Sequence, residues 1–197
     1  MIKRLFDIVC SACGFILLSP LLLWITWRIK REDHGPVFYH GARVGFQGRV
    51  FHILKFRTMV LDAEKLGGSS TSDDDPRITK IGKTLRKYKL DELPQLLNVL
   101  FGDMSFVGPR PQVQWAVDLY SVEEKVILNV RPGITDHASL IFSNEGAILK
   151  GSKNPDQDYL EKIHPIKTRL AMEYVQNHSL LGDIKIIFKT VIKVFKR

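Results

Sequence analysis

Residues 8–27 read IVCSACGFILLSPLLLWITW, an uncharged apolar run of the length, about 20 residues, that crosses a bilayer as a helix. It is too long for the core of a signal peptide, and no small-residue cleavage site follows it. Two features distinguish it from a simple span. Ser19-Pro20 falls in the middle, where proline removes a backbone hydrogen bond and bends a helix. Basic residues flank both ends, Lys3 and Arg4 before the run and Arg28, Lys30 and Arg31 after it. The positive-inside tendency assigns both flanks to the cytoplasm, which a straight span cannot satisfy. A helix broken at Ser19-Pro20 that dips into the membrane and returns does satisfy it, so re-entry is favoured over spanning. The expected organisation is a re-entrant membrane anchor over residues 1–31 and a cytoplasmic domain over residues 32–197.

The 197 residues carry 29 Lys plus Arg against 21 Asp plus Glu, a net charge of +8. A chain of this size forms one domain with a modest core. Its basic excess predicts acidic partners, whether nucleic acid, anionic lipid or a phosphorylated substrate, without choosing among them. Cys10 and Cys13 both lie in the apolar run. They are too few for a disulfide framework or a zinc site, and they read as small apolar packing on one helix face.

Beyond the anchor, residues 35–59 read as extended. Val37-Phe38-Tyr39 and the stretch from Val50 to Phe56 are rich in β formers, and Gly45-Phe46-Gln47-Gly48 between them predicts a hairpin. Strand alternation puts Phe51, Ile53, Lys55 and Arg57 on one face. The turn-rich GGSSTSDDDP at 67–76 predicts a loop. Helical spacing then takes over, through Ile78, Ile81 and Leu85 and next through Leu93, Leu96, Leu97 and Leu100. Ser121 with Glu124 forms a capping-box pattern that opens another helix. At the end of the chain Lys185, Lys189, Lys193 and Arg197 recur every four residues opposite Ile184, Ile187, Phe188, Val191, Ile192 and Phe195. That is a basic amphipathic helix, suited either to an anionic lipid surface or to packing on the core with a solvated lysine stripe. The fold class is α+β and mainly helical: a re-entrant helix, a small β-hairpin and amphipathic interfacial helices.

Leu90-Asp91-Glu92-Leu93-Pro94 stands where the leucine-spaced helix begins, with proline tolerated in its first turn. Asp91 and Glu92 therefore sit at or just before a helix N-terminus, which favours ionised carboxylates and draws phosphate. Adjacent carboxylates suit magnesium, Mg2+, completed by water and substrate phosphates. An ionised carboxylate can also attack phosphorus as a covalent nucleophile. An isolated Asp-Glu pair would read as a helix cap, but this one has cationic surroundings. Arg77, Lys80, Lys83, Arg86, Lys87 and Lys89 precede it, and Gly108-Pro109-Arg110-Pro111 follows with Arg110 on a backbone stiffened by two prolines. Arg131-Pro132-Gly133 repeats that design more weakly. Together these features describe a phosphate-handling site.

The block DPRITKIGKTLRKYKLDELPQLLNVLFGDMSFVGPRP, Asp75 to Pro111, closely resembles the signature of the bacterial sugar transferase family, the monotopic phosphoglycosyl transferases. GPVFYHGARVG, LKFRTM and RPGIT match the same pattern in order and spacing, as does an N-terminal membrane segment with Ser-Pro at its centre. The likeness covers nearly the whole chain and looks like the family's small, minimal form. The resemblance implies that Asp91 is the nucleophile, that Glu92 is its partner, and that both work with Mg2+. It implies phosphate or nucleotide-sugar contacts for Arg110 and Arg86, and Lys55, Arg57 and Arg131 are further substrate-binding candidates. It supports a re-entrant break at Ser19 and Pro20. The implied reaction is ping-pong. Asp91 attacks a UDP-sugar, UMP leaves, and polyprenol (undecaprenyl) phosphate collects the phosphosugar at the cytoplasmic face of the bacterial inner membrane, starting membrane-associated glycan assembly.

One departure stands out: many members read GITGWAQ where this chain has Gly133-Ile134-Thr135-Asp136-His137-Ala138-Ser139. The sugar preference of those relatives is therefore not carried over, and His137 reads as a hydrogen-bonded structural residue. The partners implied are a UDP-sugar, polyprenol phosphate and an anionic bilayer, with room for a homo-oligomer and downstream glycosyltransferases. A nucleic-acid-binding module would interleave a basic face with exposed aromatics, whereas these bases crowd around carboxylates, so nucleic acid is not expected. A non-catalytic scaffold would have no need of the intact Asp91-Glu92 pair.

Overall fold

The computed structural model describes residues 2–66, 71–72, 74–142 and 145–196. Its first element, α1, runs over Ile2–Asp33 and holds Pro20 inside it. Helical backbone continues through Ser19-Pro20 where a break was expected, and the proline costs the helix one backbone hydrogen bond. In an α-helix the carbonyl of Ile16 would accept from residue 20, and proline has no N–H to give. The Ser19 hydroxyl donates to that same carbonyl at 2.8 Å. The Ser-Pro pair thus removes a backbone donor and replaces it with a side chain, so no carbonyl is stranded in apolar surroundings.

Both ends of α1 are fastened to the rest of the chain. At its start, Lys3 donates to the Val107 carbonyl at 3.1 Å and pairs with Asp183. Arg4 donates to the carbonyls of Val99 and Leu100. Asp7 is buried and accepts from the Ser105 hydroxyl at 3.1 Å and the Phe106 amide at 3.2 Å. At its end, Glu32 accepts from the amides of Lys80 and Ile81, and Asp33 pairs with Arg57. Between these latches much of the helix surface is bare: Ile16 is 70% exposed and Leu17 77%. It is the one described helix long and apolar enough to cross a membrane.

The hairpin forms as the alternation predicts. β1 (Phe38–Val44) pairs antiparallel with β2 (Val50–Phe56), Phe38 opposite Phe56 and Val44 opposite Val50. Gln47 takes a left-handed φ of 55° in the turn between them. Phe51 and Ile53 face inward against Val99 and Met104. The opposite face of β2 supplies Phe56 to a second cluster, with Leu22, Ile25 and Ile29 of α1. Completing that cluster are Ile81 and Leu85 of the short helix α2 (Lys80–Lys87). The two halves of α1 are therefore unequal, since the second half is part of the core.

α3 (Gln95–Phe101) follows and ends at Gly102, whose φ of 99° is easy only for glycine. Within it Asn98 is buried, accepting from the Leu54 amide and donating to the His52 carbonyl, both at 2.9 Å, which ties α3 to the hairpin. β3 (Ser105–Val107) comes next, then α4 (Gln114–Asp118), then β4 (Gly133–Thr135), which pairs parallel with β3. The strands meet so closely at Gly108 and Gly133 that a Cβ on Gly133 would lie 2.1 Å from the Gly108 nitrogen. The capping box forms reciprocally, Ser121 N to Glu124 Oε2 at 2.7 Å and Glu124 N to Ser121 Oγ at 3.2 Å, and it opens a 3₁₀ turn over Glu124–Asn129.

α5 (His137–Ile141), α6 (Glu145–Ile148), α7 (Pro155–Lys162), α8 (His164–Asn177) and α9 (Leu180–Phe195) complete the chain. α9 has three faces. Asp183 and Ile186 are buried, while Thr190 bonds Thr135 at 2.7 Å. Leu181, Ile184, Phe188, Val191 and Ile192 form an exposed apolar stripe. Lys185 and Lys189 lie on the exposed basic edge, and Lys193 reaches back to the Leu140 carbonyl. Residues 67–70 and 73 of the loop expected at 67–76, and Arg197 of the lysine stripe, fall outside the described residues.

Candidate active site

The local sequence puts the two carboxylates on a turn and not on a regular helix. Lys89 is left-handed, with φ of 56°, and Leu90–Glu92 form one 3₁₀ turn before α3 opens at Gln95. Both Asp91 and Glu92 are buried. Their surroundings differ sharply. Glu92 accepts from Lys55 of β2 at 2.9 Å and takes both guanidinium branches of Arg110. Burial alone would raise the Glu92 carboxyl, but Arg110 and Lys55 outweigh it and hold the group well below the usual carboxylate range. Burial lowers Lys55 despite the opposing pull of Glu92.

Asp91 has no such clamp, and its Oδ1 is buried without a hydrogen-bond partner. Burial pushes its carboxyl upward, with Lys55, Lys89 and Arg86 pulling against that rise. A helix N-terminus was expected to keep Asp91 ionised. Here burial works against that preference, and the regular helix starts only four residues later. The pair thus divides into a neutralised carboxylate and a desolvated one, two environments that separate two roles.

Arg110 arrives on Gly108-Pro109-Arg110-Pro111, the segment that leaves β3. That segment is stitched to β4 by Gly108 N to the Thr135 carbonyl at 3.1 Å and Gly133 N to the Pro109 carbonyl at 3.0 Å. Asp136 accepts from the Arg110 amide at 3.3 Å and from Ser139 N at 2.6 Å. Asp136 is therefore a support of the site that the sequence reading passed over, although its N-cap spacing to Ser139 was a signal. His137 lines a cavity of about 200 Å³ with Glu173, Tyr174 and His178.

Arg86 is held from the hairpin side, its Nε donating to the Thr58 hydroxyl at 2.9 Å. Thr58 approaches so closely that a Cβ on Gly82 would lie 2.1 Å from its carbonyl oxygen. Of the cationic run before the pair, Arg77 bonds Asp75 at 2.7 Å, and Arg86 and Lys89 act on Asp91.

Lys55, Arg86, Asp91, Glu92 and Arg110 thus converge. Two sequence candidates are engaged elsewhere. Arg57 gives its donors to Asp33 and to the carbonyls of Pro36 and Met59, closing the end of α1 onto the hairpin. Arg131 donates to the Gly102 carbonyl at 2.8 Å and stacks over Phe46 at 5.5 Å. Both tie distant segments together, Arg57 reaching Asp33 and Arg131 reaching Gly102.

Magnesium fits this arrangement in one way. Among the described residues no three His, Cys, Asp or Glu side chains form a metal cluster, and both Glu92 oxygens already serve cations. Asp91 remains as a buried carboxylate with an unpartnered oxygen, and magnesium commonly takes one carboxylate with substrate phosphates and water.

Comparison with known proteins gives one consistent answer. The family model described as bacterial sugar transferase matches residues 1–197. The chain is 37% identical over 206 residues to the exopolysaccharide production protein ExoY of Sinorhizobium fredii, covering 96% of this chain and 83% of that one. It is 36% identical to the undecaprenyl-phosphate galactose phosphotransferase of Salmonella typhimurium, covering all of this chain and 41% of that protein. It is 37% identical to the UDP-glucose:undecaprenyl-phosphate glucose-1-phosphate transferase of Escherichia coli, covering 99% and 40% respectively. The chain spans about two fifths of the length of these last two.

Proposed function

The chain belongs to the bacterial sugar transferase family, and from that premise we propose that it moves a sugar-1-phosphate from a UDP-sugar to polyprenol phosphate through a covalent intermediate on Asp91. The observation that carries this reading is the asymmetry of the pair. Glu92 is neutralised by Lys55 and Arg110, while Asp91 is buried outside that clamp. A carboxylate short of solvation and of hydrogen bonds is the better nucleophile of the two.

In the first half-reaction an Asp91 oxygen bonds to the sugar-bearing phosphorus. The bond from that phosphorus to the bridging oxygen breaks, and UMP leaves with the electron pair. In the second, an oxygen of the lipid phosphate attacks the same phosphorus and the electrons of the breaking bond return to Asp91. Arg86 and Arg110 hold the diphosphate, and Glu92 keeps Lys55 and Arg110 charged and oriented. Bound beside Asp91, magnesium would offset phosphate charge that otherwise repels the carboxylate. The relatives' names cite galactose and glucose, so the sugar is left to experiment.

The proposal extends to α1 as a re-entrant anchor at the cytoplasmic face. A helix crossing a bilayer separates its ends by about 30 Å of hydrocarbon. Here Lys3 and Arg4 at one end, and Glu32 and Asp33 at the other, bind the same domain. The exposed apolar stripe and lysine edge of α9 would lie on the same surface.

The test is a single turnover without lipid. Enzyme with UDP-sugar and magnesium should release at most one UMP per site, and intact-mass analysis should find a phosphosugar adduct on the peptide containing Asp91. An adduct on another peptide would falsify the nucleophile, and UMP release only with lipid present would favour direct transfer.

A further inference from the structure

Among the described residues, the buried side-chain atoms without a hydrogen-bond partner are Asp91 Oδ1, both polar atoms of Gln95, and His164 Nε2. Three of these belong to two residues one turn apart. Gln95 is 0% exposed, so solvent does not satisfy its amide, and burying an unpaired amide is costly. The same helix shows what a satisfied amide looks like. Asn98, three residues on, is also buried, and its amide bonds the backbone of His52 and Leu54. A leucine or methionine at 95 would pack without that cost. An uncompensated donor one turn along the chain from an uncompensated carboxylate oxygen calls for a functional explanation.

We propose that Gln95 is the positioning residue of the nucleophile, its side-chain N–H closing on Asp91 Oδ1 during turnover. This rests on the reading of Asp91 as the attacking group. The contact joins a donor and an acceptor that both lack partners and stand four residues apart in the chain. It fixes Oδ1 as the oxygen that does not attack. Once the aspartyl phosphate has formed, Oδ1 is its carbonyl oxygen. When the lipid phosphate attacks, the electrons of the breaking phosphorus–oxygen bond return to the carboxylate and charge spreads onto Oδ1, where the N–H meets it. A neutral amide suits this duty better than a cation. Lys55 and Arg110 pair with Glu92, and the same ion pairing on Asp91 would hold back the attack. Gln95 can bind Oδ1 in each state without an ion pair to break.

The discriminating variant is Gln95→Met, which keeps the length and removes both polar atoms. Its Tm should equal or exceed that of the wild type, because two unpaired buried atoms are gone. Its turnover should fall roughly 10²-fold, the usual cost of one charge-stabilising donor. With both substrates present, a larger fraction of the enzyme should carry the adduct, since the step that returns charge to Asp91 slows more. Gln95→Glu keeps the shape but adds a carboxylate beside Asp91 and Glu92, and should form no adduct. Turnover of Gln95→Met within about twofold of the wild type overturns the assignment. So does a loss of turnover accompanied by a lower Tm, since damaged packing then explains both. Absence of an adduct in the wild type, run in parallel, would overturn the Asp91 reading and this inference together, whereas a normal wild-type adduct isolates the failure to Gln95.

Discussion

The centre around Glu92 and the surface formed by α1 and α9 invert each other's chemistry. At the centre, charge is buried: Asp91 and Glu92 are nearly inaccessible, and Lys55 and Arg110 close over Glu92. On the surface, apolar bulk is bare: Ile16, Leu17 and Leu23 of α1 and Leu181 and Phe188 of α9 all lie open. A soluble protein does neither without reason, because buried charges need partners and large apolar patches need a cover. The difference shows how one chain can serve two solvents. Under the proposed function the centre would supply the polar environment that phosphates lose on leaving water, and the surface would present what lipid accepts. Four experiments would break or sharpen this contrast.

Asp91→Asn should have the largest effect. It preserves shape and burial but removes the anionic nucleophile, so turnover should fall on the order of 10⁴-fold or more, read as UMP release. Substantial residual activity would mean that the unclamped carboxylate is not the reacting one. Glu92→Gln should act on stability as well as rate. It leaves Lys55 and Arg110 facing a neutral amide in a buried site, at a cost of about 3 kcal/mol measured by denaturant unfolding in detergent. Unchanged stability would show that the two cations find other partners.

The lipid-facing side yields smaller effects. A fluorophore at position 188, on Phe188→Cys with Cys10 and Cys13 replaced, should be quenched by brominated lipids in anionic vesicles. Reversing Lys185 and Lys189 to Glu should weaken that quenching, each lysine being worth ~1 kcal/mol of surface attraction. Lys193 is spared because it already bonds Leu140. No quenching in the parent would return α9 to plain core packing. The mildest change is Ser19→Ala, which leaves the Ile16 carbonyl without its substitute donor at a cost of ~0.6 kcal/mol. Pro20→Ala restores the backbone donor instead, and cysteine labelling in spheroplasts should then find a minority of chains with position 2 outside. Equal labelling in both backgrounds would exclude a role for the proline in topology.

Much of this was legible in the chain. The hairpin followed from alternation, and Phe51 and Ile53 do face inward. Asp91, Glu92 and Arg110 followed from residue chemistry, and Lys55 from its strand register. What could not be read was which arginines belong to the centre. Arg57 and Arg110 look alike locally, yet Arg57 meets Asp33 and Arg110 meets Glu92. Those partners are set by how α1 and β3 pack, not by neighbouring residues. Asp136 was missed for the same reason, since its tie to Arg110 spans 26 residues. Gln95 was hidden among leucines, where spacing reports a helix and says nothing about an amide left unpaired.

The latch between Lys3 and Asp183 joins positions 180 residues apart, which gives the molecule a timetable. A ribosome adding ~5–20 residues per second needs roughly 10–40 s to deliver the second after the first. Through that interval Lys3 waits for Asp183, while Arg4 meets Val99 after 95 residues and Asp7 meets Ser105 after 98. In the proposed anchor the apolar run would therefore meet lipid on hydrophobicity and flanking charge, before those latches can form.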